Sequence, residues 1–196
     1  MSGRLALTQE AQQHCNEKKS MQYRRANATG GTYFFTVNLA DRSADTLVRH
    51  INDLKNLMHK VKAAHPYALV AQVVMPEHLH AIWRLPPGDA DFPMRWSLIK
   101  AGFSRRLAKV ENVCASRVAK RERGIWQRRY WEHQIRDDTD LAQHVNYIHY
   151  NPVKHGWVTV AADWPHSTLH EYIRRGMANP DWGGSCGDGE SGYGER

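Results

Sequence analysis

The amino-acid sequence predicts an α+β protein built on a ferredoxin-like antiparallel sheet with helices on one face. The order of its patterned segments is strand, helix, two strands, helix, strand, which is the order of that fold. The proline in Met75-Pro76-Glu77 marks a short turn between the second and third strand-like segments. With helices on one side, the other face of the sheet is expected to be available for a ligand.

Runs of β-branched and aromatic residues predict the strands, because such side chains suit a pleated, half-buried surface. Gly30-Gly31 opens the first strand, and Pro76 separates the second from the third. The predicted strands span residues 32–39, 67–75, 78–85 and 130–136.

Helices are predicted where apolar residues recur every three or four positions. In the first helix, Leu47, Ile51, Leu54, Met58 and Val61 fall on one face. The predicted helices span residues 45–64, 95–110 and 139–151, and a basic stretch, residues 117–129, precedes the fourth strand.

The composition indicates which classes of partner and which cellular compartment to expect. The net charge of +7 makes a polyanion a candidate partner, although charge alone is equally compatible with a basic protein that binds none. Cys15, Cys114 and Cys186 match neither a disulfide framework nor a zinc spacing, which favours a reducing compartment. No signal peptide and no apolar run of about 20 residues is present, so we expect a cytoplasmic protein without membrane contact.

Two histidines on the third predicted strand form a candidate metal site. Side chains alternate along a strand, so His78 and His80 share one face while Leu79, Ala81 and Trp83 take the other and pack on helices. Two imidazoles at that spacing can converge on one divalent ion. With 12 histidines in 196 residues, however, such a pair arises about 0.7 times by chance. The histidine pair alone therefore does not identify a metal site.

A tyrosine on the third predicted helix is a candidate nucleophile. Asp137 or Asp138 can cap this helix, and Pro152 predicts that it ends near Asn151. Tyr147 and Asn151 are four residues apart and can face one site, as nucleophile and oxygen ligand. Taken alone, this spacing favours ordinary packing tyrosines.

Four ordered blocks together resemble the REP-associated tyrosine transposases, which belong to the HUH superfamily, named for histidine–hydrophobic–histidine. The resemblance covers residues 21–182. The blocks are GGTYFFT at residues 30–36, HLHAIW at 78–83, WQRRYWEH at 126–133 and YIHYNPVKHG at 147–156.

The resemblance implies a site and a reaction. His78, His80 and Asn151 would bind Mg²⁺ or Mn²⁺, and Tyr147 would attack a phosphodiester to form a 5′-phosphotyrosine adduct, with Tyr150 as the rival nucleophile. The substrate would be a single-stranded DNA hairpin of the repetitive extragenic palindrome (REP) type, which the enzyme cuts and rejoins.

Basic and aromatic residues alternate in the chain, a pattern typical of single-strand binding, where cations contact phosphates and rings stack on bases. Most of the aromatic residues are equally explained as core and most of the charges as a solvated face; for the 126–131 block we favour DNA contact. The expected DNA-binding residues are Arg24, Arg25, Lys100, Arg105, Arg106, Trp126, Arg128, Arg129 and Lys154.

Composition at the two ends and the resemblance between them divide the chain. We expect a mobile extension at residues 1–20, an HUH transposase catalytic domain at 21–156, a C-terminal docking segment at 157–182 and a disordered Gly-rich tail at 183–196. The long C-terminal segment favours a monomer over a homodimer that exchanges tyrosine helices. The alternatives are a non-catalytic hairpin-binding regulator on the same fold and a water-using metallohydrolase.

Overall fold

Four antiparallel strands form one sheet in the order β2-β3-β1-β4. The computed structural model describes residues 29–109 and 115–181. The strands are β1 (Thr32–Asn38), β2 (Ala68–Val74), β3 (His78–Arg84) and β4 (Trp131–Gln134). The predicted ferredoxin-like class is confirmed, and each predicted strand is correct to within one or two residues at either end.

Several predictions concern parts of the chain that lie outside the described residues. They are the N-terminal extension, the Gly-rich tail, the end of the second predicted helix at Val110, and the residues Arg24, Arg25, Cys15, Cys114 and Cys186.

The helices follow the predicted order with shifted ends, but the first one, predicted as a single helix over residues 45–64, is divided in two at His50. Within the described residues they are α1 (Thr46–Arg49), α2 (Ile51–Ala64), α3 (Phe92–Arg106), α4 (Ala115–Ala119), α5 (Asp138–Lys154) and α6 (Leu169–Arg174), and a short 3-10 helix spans Ala161–Asp163. None of them combines the length and the apolar character that a membrane crossing requires.

Capping explains why α3 starts before the predicted residue. The Asp91 side chain accepts a hydrogen bond from the Met94 amide at 3.1 Å, and Pro93 suits the first turn, where its missing N–H is not needed. The prediction that this helix begins at Arg95 was therefore three residues late, because it followed apolar periodicity alone.

The predicted end of the tyrosine helix near Asn151 was wrong. The side chain of Asp137 caps α5 by accepting from the Asp140 amide at 2.8 Å, and the helix continues through Pro152 to Lys154. Proline removes one backbone hydrogen bond, but the amide of His155 still donates to the Asn151 carbonyl at 3.0 Å. The last turn therefore stays helical.

The sheet separates two layers of apolar packing. Leu79, Ala81 and Trp83 of β3 face the larger core, which α2 and α3 cover, as predicted. The crossover helices therefore lie on one face, whereas α5 packs on the opposite face against Phe34 and Ile82. The face expected to receive a ligand is thus partly covered by the tyrosine helix itself.

The segment after α5 lines the outer edge of the sheet at β2. The Trp164 indole donates to the Val74 carbonyl at 3.0 Å, and the Thr168 amide donates to the Gln72 carbonyl at 2.9 Å. These bonds occupy backbone groups that an edge strand otherwise leaves unpaired. The contacts hold the C-terminal segment against the sheet.

The contact between His149 and the C-terminal segment is expected to make the stability of the fold depend on pH. Its Nε2 lies 3.1 Å from the Thr168 hydroxyl, and burial lowers the pKa of His149 to about 4. The unfolded chain takes up this proton near pH 6.5, so between about pH 6.5 and 4 the unfolded state binds more protons. Lowering the pH from 7 to 5 should therefore decrease the free energy of unfolding by about 2 kcal/mol through this residue.

Urea unfolding at the two pH values checks this expectation. His149→Gln keeps a hydrogen-bonding side chain without the titration, so its stability should decrease less over the same range. An equal decrease in both proteins would contradict the assignment.

Candidate active site

The histidine pair lies where strand alternation placed it. His78 and His80 point to the α5 side of β3, both side chains are fully buried, and their ring centroids are 4.8 Å apart. Antiparallel pairing sets Asn38 opposite His78 and Thr36 opposite His80 on β1. The central strand therefore supplies the neighbours of both rings.

Each imidazole is held through its Nδ1 atom. Nδ1 of His80 lies 2.9 Å from the Thr36 hydroxyl, and Nδ1 of His78 lies 2.8 Å from a Glu77 carboxylate oxygen. Metal-binding histidines are commonly oriented in this way through the nitrogen that does not bind the metal. Neither Thr36 nor Glu77 was among the residues predicted from sequence, although Glu77 directly precedes the His-x-His pair.

The nitrogen on the other side of the His78 ring is available as a ligand. Its Nε2 atom is buried and has no hydrogen-bond partner. Burial raises the pKa of Glu77, but the hydrogen bond to His78 and the charge of Arg42 outweigh it, so the net pKa lies below the usual range. An ionised Glu77 accepts the Nδ1 proton and leaves Nε2 as a lone-pair donor.

Tyr147 of α5 lies directly over this pair. Its ring centroid is 5.2 Å from that of His80 and 6.1 Å from that of Phe34, and the residue is only 6% exposed. Asn151 follows one turn later and is fully buried. Tyr150, also within the described residues, makes no ring contact with either histidine.

Lys154 reaches the hydroxyl of the same tyrosine. Its Nζ donates to the Tyr147 oxygen at 3.1 Å and lies 4.7 Å from the ring centroid. From sequence, this lysine was predicted to contact DNA. An ammonium group at this position favours the phenolate over the phenol, which is the form that attacks an electrophile.

A third histidine borders the pair. The His155 ring centroid is 5.2 Å from that of His78, and His155 directly follows the last residue of α5. The contact between His155 and His78 was not predicted, because a helix that ends at Asn151 leaves the positions of residues 152–155 undetermined.

A cavity of about 550 Å³ lies between α3 and the basic stretch that precedes β4. Lys100 and Trp126 are internal parts of its wall. The Lys100 ammonium donates to the Gln127 carbonyl at 2.6 Å, and the Trp126 indole donates to the Lys100 carbonyl at 3.1 Å. Burial, with the nearby charge of Arg117, lowers the pKa of Lys100 to about 8.

The remaining predicted DNA-binding residues differ in what they contact. Arg106 donates to the Asp53 carbonyl at 2.9 Å, and Arg128 pairs with Glu122 at 2.7 Å. Arg105 and Arg129 are exposed. Trp126 is 6% exposed and packs in the core against Phe103, so its ring offers no open face for a base.

Known proteins resemble this chain over most of its length. A REP-associated tyrosine transposase of Escherichia coli (strain K12) is 44% identical over 171 residues, which are 87% of this chain and 96% of the relative. A Haemophilus influenzae protein named for the same family is 43% identical over 164 residues, 83% of this chain and 93% of the relative. No family model matches.

A solved structure supports the same family relationship. The structure of a REP-associated tyrosine transposase bound to a REP hairpin superimposes with a TM-score of 0.77 at 43% identity, and the match covers 90% of this chain and 98% of that one. The identities, the coverage and the shared fold together show that this chain belongs to the REP-associated tyrosine transposases.

Proposed function

We propose that this protein cuts and rejoins single-stranded DNA at REP-type hairpins through metal-dependent attack by Tyr147. The observation that carries the proposal is a tyrosine hydroxyl held by Lys154, with its ring against His80. The DNA substrate is proposed because the related transposase of known structure is bound to a REP hairpin.

The residues fit a divalent cation. His78 and His80 would bind it through their Nε2 atoms, since both Nδ1 atoms are engaged, and Asn151 would add an amide oxygen. The amide oxygen and the oxygens of the DNA phosphate suit Mg²⁺ or Mn²⁺, and of these two ions Mn²⁺ accepts imidazole nitrogen more readily. Bound there, either ion would withdraw charge from the scissile phosphate.

The side chains then account for the strand transfer. The Tyr147 oxygen attacks phosphorus in line, a phosphotyrosine bond forms, and the bond from phosphorus to the 3′ oxygen breaks. The Tyr147 hydroxyl gives up its proton to solvent as it attacks, and the 3′ oxygen takes one proton from solvent and leaves as a hydroxyl. Because one phosphodiester replaces another, the reverse attack by a 3′-hydroxyl rejoins DNA without ATP.

The proposed DNA surface uses exposed arginines at the end of α3 and directly before β4. Arg105, Arg128 and Arg129 would contact phosphates, and Lys100, Arg106 and Trp126 would hold the wall that presents them. Lys154 would act at the tyrosine rather than on the DNA backbone. We expect cutting to proceed in a monomer, because one chain contains both the histidines and the tyrosine helix that covers them.

Tyr147→Phe should abolish the covalent adduct and leave hairpin binding intact, because only the nucleophilic oxygen is removed. The assay mixes the protein with a labelled REP-type hairpin and Mg²⁺ or Mn²⁺ and resolves the products on a denaturing gel. Tyr150→Phe is the matched control and should retain the adduct. Cleavage that persists in Tyr147→Phe would point to a water-using hydrolase, and binding without any cleavage by the unmodified chain would favour a regulator.

Lys154→Gln should slow adduct formation roughly 10- to 100-fold, because a charge-assisted hydrogen bond contributes about 1.5–3 kcal/mol. Its affinity for the hairpin should stay close to that of the unmodified chain, whereas Arg129→Gln should weaken binding with little effect on the rate at saturating DNA. Single-turnover kinetics and filter binding separate the two effects. Lower affinity with an unchanged rate in Lys154→Gln would restore the DNA-contact interpretation.

A further inference from the structure

A second group of metal-ligating side chains lies between β4 and the first two turns of α5. His133, Asp140 and His144 each offer one ligand atom, and the three atoms lie within 4.8 Å of one another. Among residues 29–109 and 115–181, no other group of three histidine, cysteine or acidic side chains meets this condition.

The carboxylate of Asp140 lies at the centre of the group. One of its oxygens is 2.8 Å from Nε2 of His133, and the other is 3.0 Å from Nδ1 of His144. The same Nδ1 atom also lies 2.8 Å from the backbone carbonyl oxygen of Asp140. The two imidazole rings stack at 4.8 Å with an interplanar angle of 11°. In a tetrahedral zinc site, metal–nitrogen bonds of about 2.0–2.1 Å place two ligand atoms roughly 3.3 Å apart. Because the stacked rings hold their nitrogen lone pairs in nearly parallel planes, one imidazole would have to rotate out of the stack to point at the same ion as the other.

The protonation states suit a cation. Burial raises the pKa of Asp140, but hydrogen bonds from His133 and Arg136 outweigh it and lower the pKa to about 2. Burial lowers the pKa of His144. At neutral pH the aspartate is therefore ionised and His144 is neutral, which are the forms that bind metal ions.

Solvent access is present on one side. Asp140 and His144 are 3% exposed, whereas the side chain of His133 is 25% exposed and opens a path for an ion and for a water molecule as fourth ligand. The Arg136 guanidinium also contacts Asp140, at 3.1 Å, but this side chain is 75% exposed and can turn into solvent. The Arg136 backbone amide donates to the same carboxylate at 3.0 Å and would continue to orient it with an ion bound.

This group is separate from the candidate active site. The Phe34 ring lies between the two, with its centroid 4.8 Å from that of His144 and 5.4 Å from that of His80. The two sites share no ligand. His144 precedes Tyr147 by less than one helical turn, so an ion bound here would restrain the helix that carries the tyrosine.

We propose that His133, Asp140 and His144 bind a divalent transition-metal ion, with zinc as the best fit, and that this ion fixes β4 against α5. Two imidazole nitrogens, one carboxylate oxygen and one water form a tetrahedral donor set of the kind that zinc prefers. In the metal-free protein, hydrogen bonds between the imidazole rings and Asp140 occupy the place of the ion. On binding, each ring proton moves, by exchange with solvent, to the nitrogen that does not bind the metal.

The test measures zinc binding to the full chain and does not use DNA cutting as a readout. A background variant, His78→Gln with His80→Gln, removes the candidate active-site ligands. It should still bind one zinc ion per chain in a calorimetric titration, and zinc should raise its melting temperature. Adding His133→Gln should weaken this binding at least tenfold, and adding His59→Gln, an exposed histidine on α2, should not.

Two outcomes would overturn the proposal: a folded background variant that binds no zinc, or His133→Gln binding zinc as tightly as its parent. If the background variant does not fold, His133→Gln is compared with the unmodified chain. Its zinc stoichiometry should then be lower by one ion, and an unchanged stoichiometry would overturn the proposal. A failure here leaves the proposed DNA chemistry untouched, because that chemistry uses other residues.

Discussion

Strand alternation along β3 is the constraint on which the rest of the site depends. Leu79, Ala81 and Trp83 fill the core under α2 and α3, so the intervening histidines must face the other layer. A register slip of one residue would move both imidazoles into the apolar core and expose the tryptophan, which would be strongly unfavourable. The core therefore fixes the direction of the candidate ligands before any ligand binds.

The tyrosine helix completes the arrangement through its length. The cap at Asp137 fixes where α5 begins, and the continuation through Pro152 adds the turn that carries Lys154. With that turn helical, Lys154 lies two turns after Tyr147 and its ammonium reaches the hydroxyl. Docking of the C-terminal segment on β2 and on His149 holds this helix against the sheet.

Periodic patterns made much of this predictable. The strands and the shared face of His78 and His80 follow from the side-chain period of two. The placement of Tyr147 over them was predicted from the family resemblance and not from periodicity. Contacts between elements distant in sequence could not be predicted from these periodic patterns. The partner of His80 on β1 depends on strand register, and the burial of Trp126 depends on how the 115–130 segment folds against α3. A pattern of cations and rings cannot distinguish a core tryptophan from one that stacks on a base.

The most direct test of the central claim is to identify the residue that carries the DNA. The adduct formed with a REP-type hairpin and Mn²⁺ is isolated, digested with nuclease and protease, and analysed by tandem mass spectrometry. The proposed chemistry predicts a nucleotide attached through a 5′-phosphate to Tyr147. Attachment to Tyr150, or cleaved DNA with no modified peptide, would contradict it.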